Sequence, residues 1–191
     1  KLPEAIIADY SEETVLDKRA GFWVAGNINR FSSILVGPGL SNADYFLPEV
    51  LRILRGQPMP LVLDADALNI LAFKASLLKE LPLKTVLTPH PGEMTRLILT
   101  SPSKAKLNRI ELVRQTSREW NCVVLLKGAY TVIGNPDGQV MVLPFANPLM
   151  AVAGSGDVLS GIIVSLLGQG LPAFEAAVLG GWLHGTAAEL A

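Results

Sequence analysis

Short apolar runs alternate along this chain with longer stretches of helical spacing. The runs 33–36, 61–63, 84–87 and 122–126 are too short for helices and rich in aliphatic, often β-branched residues. Each predicts a buried strand. Between them, residues 42–55 place Phe46, Val50, Ile53 and Leu54 on one helical face, and residues 104–120 do the same with Leu107, Ile110, Leu112 and Val113. Residues 77–81 predict a short helical piece. Strands alternating with helices in this rhythm predict an α/β fold, with a mostly parallel central sheet flanked by helices on both faces. Residues 131–133 and 139–142 flank Asn135-Pro136-Asp137-Gly138, whose turn chemistry predicts a small β-hairpin. Near the start, residues 5–8 predict a strand and Ser11-Glu12-Glu13 a helix start. Residues 21–31 predict a helical turn leading into a strand. No repeat, linker or low-complexity tract divides the chain, so residues 1–191 are expected to form a single domain.

Composition narrows the class. Half of the residues are hydrophobic and 17% are charged, which predicts a large core. A net charge of −1 without any basic block argues against nucleic acid or an acidic membrane surface as partner. The apolar stretches 158–171 and 173–191 fall short of, or barely reach, the ~20 residues of a membrane span. Glycines, Glu175, His184 and Glu189 interrupt them, so they predict buried core helices. Cys122 is the single cysteine and sits inside an apolar run, which predicts a buried, inert thiol and a reducing, cytoplasmic setting. No signal-peptide pattern opens the chain. Lys1 stands just before an apolar run and Ala191 inside a helical pattern, so both ends are expected to be cut relative to a longer product.

Candidate chemistry sits where the predicted strands end. Gly37-Pro38-Gly39, Asp64 and Asp66, His90 and Glu93, and Lys127-Gly128 each follow a strand, and open α/β sheets bind ligands at that edge. The fifth element is Gly154-Ser155-Gly156-Asp157, directly before an apolar helix. Small residues there let a phosphate approach the backbone, and the unpaired N–H groups and dipole of the helix favour an anion. Asp157 in the same turn suits a base for phosphoryl transfer to a hydroxyl; a plain helix cap accounts for it equally well. Asp64 and Asp66 are read first as structural, Asp66 as the cap of a helix starting at Ala67. His90 and Glu93, held in a loop by two prolines and a glycine, point to function, against the simpler reading that Glu93 caps a helix running to Leu99. Lys127 suits a nucleotide phosphate as a point charge, or is a solvated strand-end lysine. His184, in a small-residue helix, reads as a satisfied core histidine.

Together, Leu35-Val36-Gly37-Pro38-Gly39-Leu40, Leu63-Asp64-Ala65-Asp66-Ala67-Leu68-Asn69, Leu87-Thr88-Pro89-His90-Pro91-Gly92-Glu93, Leu126-Lys127-Gly128-Ala129 and the stretch from Asn147 to Gly161 resemble the ADP/ATP-dependent NAD(P)H-hydrate dehydratases of the ribokinase-like superfamily. The Gly-Ser-Gly-Asp element marks the superfamily. The His-Pro-Gly-Glu loop points to the dehydratase branch and away from the vitamin-precursor kinases, the second enzyme reading. A non-catalytic nucleotide-binding module is the reading from another class, and retention of both Asp157 and His90 argues against it.

The resemblance implies roles. Asp157 would be the base that activates the hydroxyl of the hydrated nicotinamide. Gly154, Ser155 and Gly156 would form the anion hole, and Lys127, Gly128, Ala129, Tyr130 and Thr131 would lie along ADP or ATP. Gly39, His90 and Asp157 would meet the substrate, hydrated NADH or NADPH, and Glu93 would help indirectly to organise Mg²⁺. A homo-oligomer and a fused or partner epimerase domain are implied as well. Leu149 departs from the glycine that the family often carries there. A Gly-rich strand and helix, usual at the family's N-terminus, are not found, so the chain is expected to lack them and its C-terminal end.

Overall fold

Among the described residues, six strands pair strictly in chain order into one sheet: β1 (Ile34–Val36), β2 (Leu61–Leu63), β3 (Thr85–Leu87), β4 (Val123–Leu126), β5 (Val132–Gly134) and β6 (Val140–Val142). The first four run parallel, and β5 and β6 add an antiparallel hairpin. The structure is a computed structural model that describes residues 18–41, 43, 45–98 and 108–190. The expected strand at 5–8, the helix start at Ser11, and positions 42, 44, 99 and 104–107 lie outside the described residues.

Side chains alternate across each parallel strand, and both faces are apolar. Leu61, Leu63, Leu87, Val124 and Leu126 enter one core with the helices α1 (Lys18–Asn27), α2 (Phe46–Leu54), α3 (Asp66–Phe73), α4 (Pro91–Ile98) and α5 (Arg109–Trp120). Val62, Val86, Val123, Leu125 and Ile133 enter the other, which α6 (Ser155–Gly168) and α7 (Ala173–Leu190) fill. Burial on both sides is why these strands read as unbroken apolar runs. In α7, glycine permits contact with the sheet side: a Cβ on Gly185 would lie 2.2 Å from the Phe145 ring. No helix among the described residues is long and apolar enough to cross a membrane.

Several boundaries differ from expectation for local reasons. Residues 21–31 complete α1 and a 3-10 turn (Ile28–Arg30), and the chain enters the sheet only at Ile34. The 77–81 piece is a 3-10 helix over Ala75–Lys79. Helix α2 buries Leu47, Val50, Leu51 and Leu54, leaving Phe46 and Ile53 half-buried beside them. In α5, Leu112 and Val113 are buried but Ile110 is exposed. Thr116 and Ser117 share the inward face of α5 because their hydroxyls bond the carbonyls of Leu112 and Val113, at 2.8 and 2.6 Å; this polar pair masks the stripe. The hairpin turn is as expected, closed by the Gly138 N–H on the Asn135 carbonyl at 3.0 Å. Cys122 is fully buried, and burial pushes its thiol up.

Candidate active site

The hydrogen-bond ladder continues past the C-terminal end of the parallel strands. The N–H of Asp64 donates to Val36 O at 3.2 Å, that of Thr88 to Leu63 O at 3.2 Å, and that of Lys127 to Pro89 O at 2.8 Å. Four loops are thereby brought to one edge. Gly37 makes the tightest approach: at φ 140°, a Cβ there would lie 1.7 Å from the Asp64 carbonyl oxygen.

Asp64 is the centre of this edge and is almost wholly buried, at 1% exposure. Its Oδ1 accepts from Lys127 Nζ at 2.7 Å and from the Ala65 N–H at 2.8 Å, and its Oδ2 accepts from Ser160 Oγ. Ser160 belongs to α6, so this carboxylate joins three separate elements. Ala65 beside it has φ 48° and ψ −120°, a strained conformation for a residue with a Cβ, worth about 1–3 kcal/mol. From the sequence alone Asp64 reads as structural, with no site role. Asp66 does not cap α3, which begins at Asp66 itself; its Oδ2 accepts from the Ser41 N–H at 2.8 Å and ties the β1 loop to the β2 loop.

Lys127 reaches from this carboxylate across to α6. A Cβ built on Gly156 would lie 3.3 Å from Lys127 Nζ and 3.8 Å from Asp64 Oδ2. The ammonium therefore sits over the first turn of α6, where Gly154 takes φ 83° and no side chain caps the helix. Ammonium and helix N-terminus offer positive potential to the same point, a ready anion site. Beside it opens a cavity of about 550 Å³ between the Lys127-Gly128-Ala129 turn, Phe145, Met150 and the start of α6. Of the residues singled out by sequence, Lys127, Gly128, Ala129, Thr131, Ser155, Gly156 and His90 line it. Gly154 and Tyr130 adjoin lining residues; Tyr130 is exposed, and its N–H donates to the Phe145 carbonyl at 2.7 Å. Asp157 is exposed in the first turn of α6 and is not among the lining residues. Gly39, with open space about its α-carbon, lies on the β1 loop. Leu149 falls in the 3-10 turn Pro148–Ala151 that borders the cavity.

The turn after β4 is braced from α5. Arg109 donates to the carbonyls of Leu126, Lys127 and Ala129, at 3.2, 3.3 and 2.5 Å, and burial lowers its pKa. Sequence reading missed it. A signal existed: a cation as the first residue of a helix opposes the dipole and so needs another reason to be there.

His90 ends the loop after β3 as expected, whereas Glu93 is not in that loop but in the first turn of a helix. Helix α4 begins at Pro91, a residue suited to a first helical position because its missing N–H costs nothing there. His90 precedes it, and the two side chains cap it reciprocally. The Gly92 N–H donates to His90 Nδ1 at 3.0 Å, and the His90 N–H donates to Glu93 Oε2 at 2.8 Å. His90 Nε2 lies 3.3 Å from Glu93 Oε1, and Lys127 Nζ lies 4.0 Å from Glu93 Oε2. Glu93 is thus a buried helix cap that also borders the anion site. Among the described residues no group of three or more His, Cys, Asp or Glu side chains is placed to hold a metal ion.

His184 is not a satisfied core histidine. It is half-buried, lines the cavity, meets Ser155 Oγ through Nε2 at 2.9 Å, and leaves Nδ1 buried without a partner. Burial, partly offset by the Ser155 backbone, lowers its pKa below the ordinary 6.5. The unfolded chain therefore takes up a proton first, and stability is lost as pH falls from about 6.5 towards the folded value. A His184→Gln variant is expected to lose that part of the slope, read as melting temperature against pH between about 7.5 and 5.5; an unchanged slope would contradict it.

Comparison with known proteins finds relatives along nearly the whole chain. The family model described as NAD(P)H-hydrate dehydratase (Carb_kinase) matches residues 2–191. The ADP-dependent (S)-NAD(P)H-hydrate dehydratase of Neisseria meningitidis is 41% identical over 192 residues, covering 99% of this chain and 64% of that protein. The bifunctional NAD(P)H-hydrate repair enzyme Nnr of Moorella thermoacetica is 50% identical over 156 residues, 82% of this chain and 29% of that protein. The chain thus spans less than two thirds of the length of either. A crystal structure of the ADP/ATP-dependent NAD(P)H-hydrate dehydratase of Bacillus subtilis, co-crystallized with ATP/Mg²⁺ and soaked with CoA, superposes with a TM-score of 0.69 at 32% identity, over 83% of this chain and 57% of that one. With a family match that runs through every loop of the site, on a ribokinase-like α/β fold, this chain belongs to the NAD(P)H-hydrate dehydratase family.

Proposed function

We propose that the protein dehydrates hydrated NADH and NADPH with ADP or ATP, restoring the reduced dinucleotide as a metabolite-repair lyase. The observation that carries this reading is the ammonium of Lys127 held over Gly156 at an uncapped helix start, beside a cavity of about 550 Å³. The backbone of Gly154, Ser155 and Gly156 and the charge of Lys127 receive the oxygens of the transferred phosphoryl group, each well-placed donor contributing ~3 kcal/mol. The turn from Lys127 to Thr131 lies along the nucleotide. Gly39 and His90 meet the hydrated dinucleotide. With the Gly92 N–H on Nδ1, the His90 proton sits on Nε2, towards Glu93.

Asp157 takes the proton from the ring hydroxyl as the hydroxyl oxygen attacks the terminal phosphorus; the bridging P–O bond breaks, and ADP leaves from ATP, or AMP from ADP. Phosphorylation turns that hydroxyl into a leaving group. The ring nitrogen then pushes electrons as the C–O bond breaks, phosphate departs, and loss of a proton restores the dihydropyridine. The residues present fit Mg²⁺ carried in with the nucleotide, because such ions usually take one or two carboxylates plus phosphate oxygens. Its chemistry would be to neutralise charge on those oxygens, with Glu93 as the nearby, indirectly acting carboxylate. We further place the protein in the cytoplasm, as a homo-oligomer that works with a fused or partner epimerase.

The test follows absorbance at the NADH band during incubation with hydrated NADH, Mg²⁺ and ADP or ATP. Nucleotide-dependent recovery is expected, and its absence would sink the dehydratase reading. Transfer of phosphate to a stable vitamin alcohol would instead favour a kinase.

A further inference from the structure

We propose that Asp64 is a positioning residue for the nucleotide's phosphates and acts through Lys127. This rests on the nucleotide reading of the site and deepens it. The Leu63-Asp64-Ala65-Asp66 stretch is otherwise absorbed by no function, yet it carries a charged group at 1% exposure. Among the described residues, the donors on Asp64 are Lys127 Nζ and the Ala65 N–H on Oδ1, and Ser160 Oγ on Oδ2. So engaged and at 1% exposure, Asp64 is shielded from direct contact with a substrate.

What it controls is where the ammonium stands. Lysine carries its charge on a flexible four-carbon stem, so its position needs an anchor. Two carboxylates compete for it. Asp64 holds Nζ at 2.7 Å and Glu93 lies 4.0 Å away. The Asp64 position is the one that puts Nζ within 3.3 Å of a Cβ built on Gly156, at the α6 N-terminus. Ser160, one turn further along α6, fixes the other side of the same carboxylate. Helix α6 and its ammonium are therefore set by one group. Neutralising Asp64 frees Nζ to move towards Glu93, away from the anion site.

The test is a double-mutant cycle on ATP binding, by calorimetry of the full chain. Asp64→Asn is expected to weaken ATP binding about 10-fold when Lys127 is present, and by less than about 2-fold in a Lys127→Met background. The KM for nucleotide should rise with it while the KM for hydrated NADH stays put. Equal losses in the two backgrounds would overturn the proposal and reduce Asp64 to a structural group. Should Asp64→Asn fail to fold, Ser160→Ala decides by the same criterion, with an expected loss of about 3-fold confined to the Lys127 background. A Lys127→Met protein that binds ATP as tightly as the wild type is a different outcome. It overturns the nucleotide site itself, and the inference falls with it.

Discussion

Asp157→Asn is expected to bind nucleotide as the wild type does and to turn over about 10²- to 10⁴-fold more slowly, the loss typical of a general base. Asparagine keeps the shape and the backbone of the first turn of α6, so the anion site beneath Lys127 is left in place. The side chain is exposed and makes no ion pair with a described residue that would couple it to the core. What stability it lends comes from a negative charge near a helix N-terminus, about 0.3–1 kcal/mol. Turnover and folding are therefore expected to separate. Single-turnover recovery of NADH absorbance, together with ATP titration and a thermal melt, reads all three. Wild-type turnover with slightly lowered stability would leave Asp157 a helix cap.

Gly37→Ala is expected to cost about 4 kcal/mol or more, and Gly39→Ala only about 1–2. The two glycines flank one proline in the same turn and both have positive φ, 140° and 71°. They differ in what surrounds them. A methyl at 37 would overlap the Asp64 carbonyl oxygen at 1.7 Å, whereas one at 39 meets nothing within 4 Å. Backbone cannot yield as a side-chain tip can, so relief requires parting β1 from β2 at the site. Against a typical total of about 5–15 kcal/mol, the first variant should lose a large share of its stability. Urea midpoints for the pair check it, and similar midpoints would refute the steric account.

The sheet was legible in the sequence because its parallel strands are buried on both faces and so stand out as apolar runs between glycine-rich or polar ends. The start of α6, where the candidate anion site lies, was legible because a helix start must be announced locally, and Gly154-Ser155-Gly156 does so. Local rules also misled. Pro91 and Gly92 read as loop residues, although proline fits the first turn of α4 and a glycine is tolerated beside it. Thr116 and Ser117 are not among the inward positions expected of α5, although each hydroxyl is satisfied by its own helix. What stayed hidden depends on distance along the chain. Asp64 meets Lys127 across 63 positions and Ser160 across 96, and Ser155 meets His184 across 29. Charge and spacing mark none of these pairs; only the shared strand-end edge and the approach of α6 and α7 create them.

Strands that pair in chain order also set a timetable for synthesis. Each strand meets its neighbour as soon as it leaves the ribosome, and α1 to α5 cover one side of the growing sheet as they emerge. The opposite side waits for α6 and α7. A nascent chain that has not reached Ser155 carries Val62, Val86, Val123, Leu125 and Ile133 uncovered, a surface that invites chaperones and self-association. It also lacks the helix start on which the proposed phosphate site depends. A half-made chain is thus at once sticky and without that helix start, and both conditions end with the docking of the same helix pair.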